Sequence, residues 1–191
     1  MLAHQQGQLF NAAQPASGLG ISGQTVARYL DILTDLLLVR RLAPWASNTK
    51  KRLVRSPKVY VRDSGLVHAL LGIRSREELL GHPVVGLSWE GMIIENILSS
   101  LPATVRSSFY RTSAGAEIDL VLEFGSNEVW AFEVKRSLGS PEPSKGFYIG
   151  CEDVKATRRI VIYPGDETYG IGAQTTVMPL GRALDELRKT S

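Results

Sequence analysis

Between residues 11 and 37 the apolar positions recur at helical spacing. Asn11 is placed to cap a short helix through Ala16, with Pro15 near its first turn, and Gly18 and Gly20 interrupt the pattern. Ser22 then heads a longer helix carrying Val26, Tyr29, Leu30, Leu33, Leu36 and Leu37 three or four residues apart. Segments 38–42 and 53–61 read as strands joined by the loop Asn48-Thr49-Lys50-Lys51-Arg52. Helix, turn, helix and basic hairpin predict a winged helix-turn-helix. In that arrangement Gln24, Thr25 and Arg28 offer themselves to a major groove, and Lys50, Lys51 and Arg52 meet phosphates. A protein-docking surface is the second expectation, because the long helix also carries Asp31 and Asp35 and only one basic residue, Arg28.

Further on, 83–101 predicts a helix capped at or near Ser88, with Glu90 at the head of an apolar stripe through Ile94, Ile97 and Leu101. Three strands follow, at 108–112, 116–124 and 128–135. A helical stretch spans 143–155, a strand 159–163 and a final helix 180–188. In 116–124 the even positions Ile118, Leu120, Leu122 and Phe124 are apolar, and in 128–135 Trp130, Phe132 and Val134 match them. A three-residue loop at Gly125-Ser126-Asn127 pairs Phe124 with Glu128, so partners sum to 252. Continued, that register sets Asp119 across from Glu133 and Glu117 across from Lys135, and a slip of one residue would break the face match.

Composition bounds the rest. With 191 residues, 43% hydrophobic and 21% charged, the chain fits one domain or two small ones. The lone Cys151 excludes a disulfide framework and a Cys-rich zinc site, and three dispersed histidines leave little for a His-based metal centre. No apolar run approaches the roughly 18 residues of a membrane span, and no signal-peptide layout opens the chain, so a cytoplasmic protein without membrane partners is expected. Residues 1–80 hold 11 Lys/Arg against 5 Asp/Glu, while 81–191 hold 11 against 14. A basic half joined to an acidic half implies two modules with different partners.

The acidic half carries the candidate chemistry. Opposed carboxylates repel across strands, and a hard divalent cation reverses that sign. Glu90, Asp119 and Glu133 therefore form a candidate metal set for Mg²⁺ or Mn²⁺, with Lys135 beside them to orient water or stabilise phosphate charge. The plainer alternative pairs Lys135 with Glu117 and leaves the acids solvated. Arg111 stands either as a phosphate contact or as a structural ion-pair partner, and Cys151 reads as a buried small residue.

Ser88-Trp89-Glu90-Gly91, Glu117-Ile118-Asp119-Leu120-Val121 and Phe132-Glu133-Val134-Lys135 resemble, in that order, the restriction-endonuclease-like superfamily with its Asp…Glu-x-Lys motif. With Val39–Leu42, Ser56–Leu66, Tyr110–Thr112 and Lys145–Phe147 added, the whole chain resembles the C-terminal domain of unknown function attached to bacterial and archaeal AAA-type ATPases. The resemblance implies an α/β fold, a restriction-endonuclease-like mixed sheet flanked by helices, over 66–191, preceded by a winged helix-turn-helix over 1–65. It matches Glu90, Asp119, Glu133 and Lys135 to the catalytic signature and implies a Mg²⁺-dependent nuclease-like domain acting on DNA. The competing expectation is a non-catalytic DNA- or protein-binding module of the same ATPase. No Gly-x-x-x-x-Gly-Lys-Ser/Thr phosphate loop is present, so an ATPase module is expected in the parent protein or in a partner chain.

Overall fold

The computed structural model describes residues 1–46, 52–125, 128–139, 141–172 and 174–190. The chain is a mixed α/β protein that divides into two compact units, Met1–Leu42 with Ser56–Met92, and Ala43–Arg55 with Ile93–Ser191. Among the described residues no helix is long and apolar enough to cross a membrane.

In the first unit a short 3-10 turn, Leu2–Gln5, leads to β1 (Gln8–Leu9), α1 (Ala13–Leu19), α2 (Gly23–Asp35), β2 (Val39–Leu42) and β3 (Lys58–Val61). α1 begins where Asn11 Oδ1 accepts from Ala13 N, and ends at Gly20, whose φ of 65° lets its N–H reach back to Ala16 O. Ser22 caps α2 as its sequence predicts, accepting from Thr25 N at 3.1 Å. The three strands form an antiparallel sheet in the order β1-β3-β2, with Val39 opposite Val61 and Leu42 opposite Lys58. Leu30, Val39 and Val59 close its core against Leu2, Phe10 and Leu33.

Two helices that the apolar pattern did not predict follow, α3 (Ser64–Leu70) and α4 (Arg76–Gly81), capped by Asp63 and Ser75. Val67, with Leu71, Ile73, Leu79 and Val84, packs on Ala3 and Val61, which is why the first unit runs past 65. α5 (Val85–Ser99) starts three residues before Ser88. Ser88 is therefore inside the helix rather than its cap, and its hydroxyl lies 2.7 Å from His68 Nε2.

The predicted hairpin is also shorter than its sequence. Residues 43–46 and 52–55 belong to the second unit instead, where Pro44 bridges Phe109 and Leu53 bridges Thr112. Backbone bonds from Trp45 N to Phe109 O and from Val54 N to Arg111 O hold them there.

The second unit is a six-stranded mixed sheet in the order β4-β5-β6-β7-β9-β8. Its strands are β4 (Arg106–Arg111), β5 (Glu117–Phe124), β6 (Glu128–Val134), β7 (Arg158–Ile162), β8 (Tyr169–Ile171) and β9 (Thr175–Met178). α6 (Lys145–Val154) connects β6 to the parallel β7, and α7 (Leu180–Thr190) ends the chain. β5 and β6 pair from Phe124–Glu128 to Leu120–Phe132, every pair summing to 252 as expected.

One part of the alternation fails. Ser108 pairs Val121 but Tyr110 pairs Ile118, so a β-bulge inserts one residue into β5. Ile118 thereby joins Val121 instead of Leu120, and both pack under Phe147 and Cys151 of α6.

Candidate functional site

The bulge decides where Asp119 points. The ladder between β5 and β6 ends at Leu120–Phe132, and Asp119 Oδ2 accepts from Val134 N at 2.8 Å, its side chain taking the place of a strand carbonyl. Glu133 is buried on the neighbouring strand. Its Oε1 accepts from Lys135 Nζ at 2.7 Å and its Oε2 from Ser144 N at 2.9 Å. Ser144 is the N-cap of α6, accepting in turn from Phe147 N, so Glu133 ties β6 to the positive end of that helix. Glu117 lies 3.4 Å from Arg111 Nη1, which makes Arg111 an ion-pair partner. Lys135 Nζ pairs with Glu133 two residues back along the chain.

Glu90 belongs to the first unit. Its Oε1 accepts from Lys58 Nζ at 3.1 Å and from Tyr60 OH at 2.6 Å. The side chains of Lys58 and Glu90 are 3% and 14% exposed, so the acid on an apolar stripe is explained by a buried ion pair reaching across from β3. Close approach is permitted by Gly91, where a Cβ would stand 2.6 Å from Gln6 Nε2 and 3.1 Å from Tyr60. Gln6 itself bonds both the N–H and the carbonyl of Val61, extending the edge that β1 leaves. Among the described residues no group of three or more His, Cys, Asp or Glu side chains is placed to hold a metal ion.

Of the expected nucleic-acid contacts, Gln24 and Arg28 are exposed on α2, while the Thr25 hydroxyl lies 2.9 Å from Ser22 Oγ. Lys50 and Lys51 lie outside the described residues. Arg52 is exposed, and its carbonyl accepts from Ser113 N.

A feature that reasoning from sequence missed lies on the outer face of α2. Tyr29, Ile32 and Leu36, spaced three and four apart, are 55%, 51% and 62% exposed. Tyr29 and Ile32, with Leu19, Leu70 and Met1, edge an apolar groove of about 480 Å³ floored by Ala3, Val26 and Leu30. Asp31 on the same helix is already held by Arg41. The signal was available: apolar residues at 26, 29, 30, 32, 33 and 36 make a stripe wider than one core-facing side needs.

Burial pushes the Cys151 thiol from its ordinary 9.0 up to about 12, with Glu133 and Glu152 adding to the effect and Arg159 opposing it. The folded state then keeps its proton where the unfolded chain loses one, so stability falls as pH rises from 9.0 toward about 12. We expect Cys151 to resist alkylation in the folded protein at pH 9 and to react on unfolding, with Cys151→Ala flattening the alkaline limb of the stability curve. Rapid labelling of the native protein would contradict the burial argument.

Residues 85–183 match a family described as a domain of unknown function (DUF4143), and residues 1–77 match a second one (DUF8612). Over 184 residues the chain is 41% identical to the uncharacterized protein Rv2008c of Mycobacterium tuberculosis and to the uncharacterized protein Mb2031c of Mycobacterium bovis. The aligned part is 96% of this chain but 41% of each relative, so the chain spans about two fifths of the length of the curated relatives it matches. A solved assembly of Thermococcus gammatolerans McrB AAA+ hexamers with bound McrC is similar at a TM-score of 0.37 and 15% identity, over 55% of this chain and 32% of that one. A likeness that shallow fixes neither fold nor partner.

Proposed function

Since the chain belongs to the DUF4143 family, which its residues 85–183 match, we propose that it is an accessory binding module of an ATP-hydrolysing protein. In this reading the first unit docks on the ATPase part through the apolar groove of α2. The observation that carries it is the exposure of Tyr29, Ile32 and Leu36 together, a continuous apolar face of the kind that marks protein contacts. A helix built to enter a major groove would present basic and amide side chains along that face instead. The occupant proposed is an ATPase module. The chain resembles domains attached to AAA-type ATPases, its 191 residues hold no phosphate loop of their own, and more than half of each relative lies outside the aligned part. Co-expression with the ATPase-bearing segment or partner of the native locus tests this. A stable complex with altered ATP turnover is expected, and two species that elute separately would contradict it.

A second reading, metal-dependent cleavage of DNA by the second unit, is favoured by the order of Asp119, Glu133 and Lys135 on adjacent strands and by the 2.7 Å bond between the last two. Asp119 and Glu133 offer two carboxylates, which with water suffice for Mg²⁺, and such an ion would supply a more acidic bound water. Lys135 would hold Glu133 in place and face phosphate charge. Glu90 is already answered by Lys58 and Tyr60, so the donor set in this reading is the strand pair. Lys50, Lys51 and Arg52 would contact phosphates, with Gln24, Thr25 and Arg28 in the major groove. Plasmid and single-stranded DNA with Mg²⁺ or Mn²⁺ discriminate: cleavage lost in Asp119→Ala and Glu133→Ala supports the reading, and wild type as inert as both variants ends it.

A further inference from the structure

We propose that the second unit carries a phosphate-binding pocket beside the starts of β7 and β9, independent of both readings above. The pocket, about 350 Å³, is lined by Thr157, Arg158, Arg159, Gly170, Gln174 and Thr175, among others. Arg159 and Thr175 are register partners on parallel strands, so their side chains leave the sheet on the same face.

Only four buried side-chain polar atoms among the described residues lack a hydrogen-bond partner, and two of them, Arg159 Nε and Thr175 Oγ1, belong to this pair. Thr175 is 2% exposed. Buried polar groups in folded proteins are nearly always partnered, because an orphan costs about 1–3 kcal/mol. Two orphans on paired residues lining one pocket therefore point to something that fills it.

The chemistry of the pair selects the ligand. A guanidinium Nε–H can only donate, and a hydroxyl can donate alongside it, so the missing group is rich in acceptors. The positive charge selects an anion, and a guanidinium fork fits the oxygens of phosphate. No acidic residue lines the pocket. Glu152 does hold Arg159 through Nη2, but its side chain is 72% exposed, and such a surface pair is weak and leaves Nε uncommitted.

The other polar groups are already engaged. Thr157 Oγ1 accepts from Val129 N and donates to Val129 O. The Arg158 guanidinium lies 4.2 Å from the centroid of the Trp130 ring and pairs with Glu186. Gln174, which also lines the pocket, adopts φ of 73°, a conformation uncommon outside glycine.

The test follows the Arg159 Nε–H resonance by NMR during titration with inorganic phosphate, with a short oligonucleotide, and with chloride at matched ionic strength. A saturable shift with inorganic phosphate is expected, weakened about tenfold in Thr175→Val and retained in Thr175→Ser. Thr175→Ser also shows whether the Val variant fails through folding rather than through loss of the hydroxyl. Saturation by the oligonucleotide with the same Thr175→Val sensitivity, in the absence of a response to free phosphate, would support the site and assign its phosphate to a nucleic-acid backbone. A response equal to that of chloride, or one unchanged in Thr175→Val, would overturn the proposal and leave a water-filled niche.

Discussion

Replacing Lys58 by methionine is expected to destabilise the protein by about 3–5 kcal/mol in denaturant unfolding, because it leaves the largely buried Glu90 carboxylate without its counter-charge. The Lys58 side chain is 3% exposed, and Glu90 also accepts from Tyr60 OH. The loss is that of an uncompensated buried charge, so it should be relieved when the charge is removed too. Lys58→Met with Glu90→Gln leaves the amide oxygen to accept from Tyr60 and should recover most of the stability. A single variant within about 1 kcal/mol of wild type would mean that the pair is solvated and worth no more than a surface bridge.

The second large effect concerns binding. Tyr29→Asp with Ile32→Asp is expected to weaken docking on the ATPase part by at least about 100-fold, since aromatic and aliphatic anchors at the centre of a patch carry most of an interface's energy. Both side chains are about half exposed in the isolated chain, so the melting temperature should hardly move. That combination, affinity lost with fold retained, separates a docking face from a core position. Loss of both together would mean that α2 is buried within its own unit.

Much of the fold was legible because it rests on local rules. The Ser22 cap needs only residues 22 to 25, and the 252 register follows from the length of one loop and the alternation beside it. What escaped was set by partners distant in sequence. The bulge at Ile118–Val121 is imposed by pairing with β4, and no pattern within β5 announces it. The true partner of Glu90 lies 32 residues upstream, on Lys58 of β3. Ala43, Trp45, Arg52 and Val54 depart from the expected strand pairing because they find backbone hydrogen-bond partners on Phe109, Arg111 and Ser113. Other misses were avoidable. Ser75 and Glu78 are spaced as a capping box and head α4. The gap between Tyr163 and Leu180, rich in glycine and without alternation, hid β8 and β9.

The candidate chemistry divides the same way. The order of Asp119, Glu133 and Lys135 was readable, and so was the β5–β6 register as far as Leu120–Phe132, where the ladder stops one pair short of Asp119 and Glu133. Their hydrogen bonds to Val134 N, Ser144 N and each other depend on the bulge and on the start of α6.

Hydrogen exchange of the chain alone and with the ATPase part bound tests the docking claim most directly. Slowed exchange in α2 across Tyr29–Leu36, together with Leu19 and Leu70, is the result predicted. Protection confined to 93–190, with α2 exchanging as in the free chain, would contradict it.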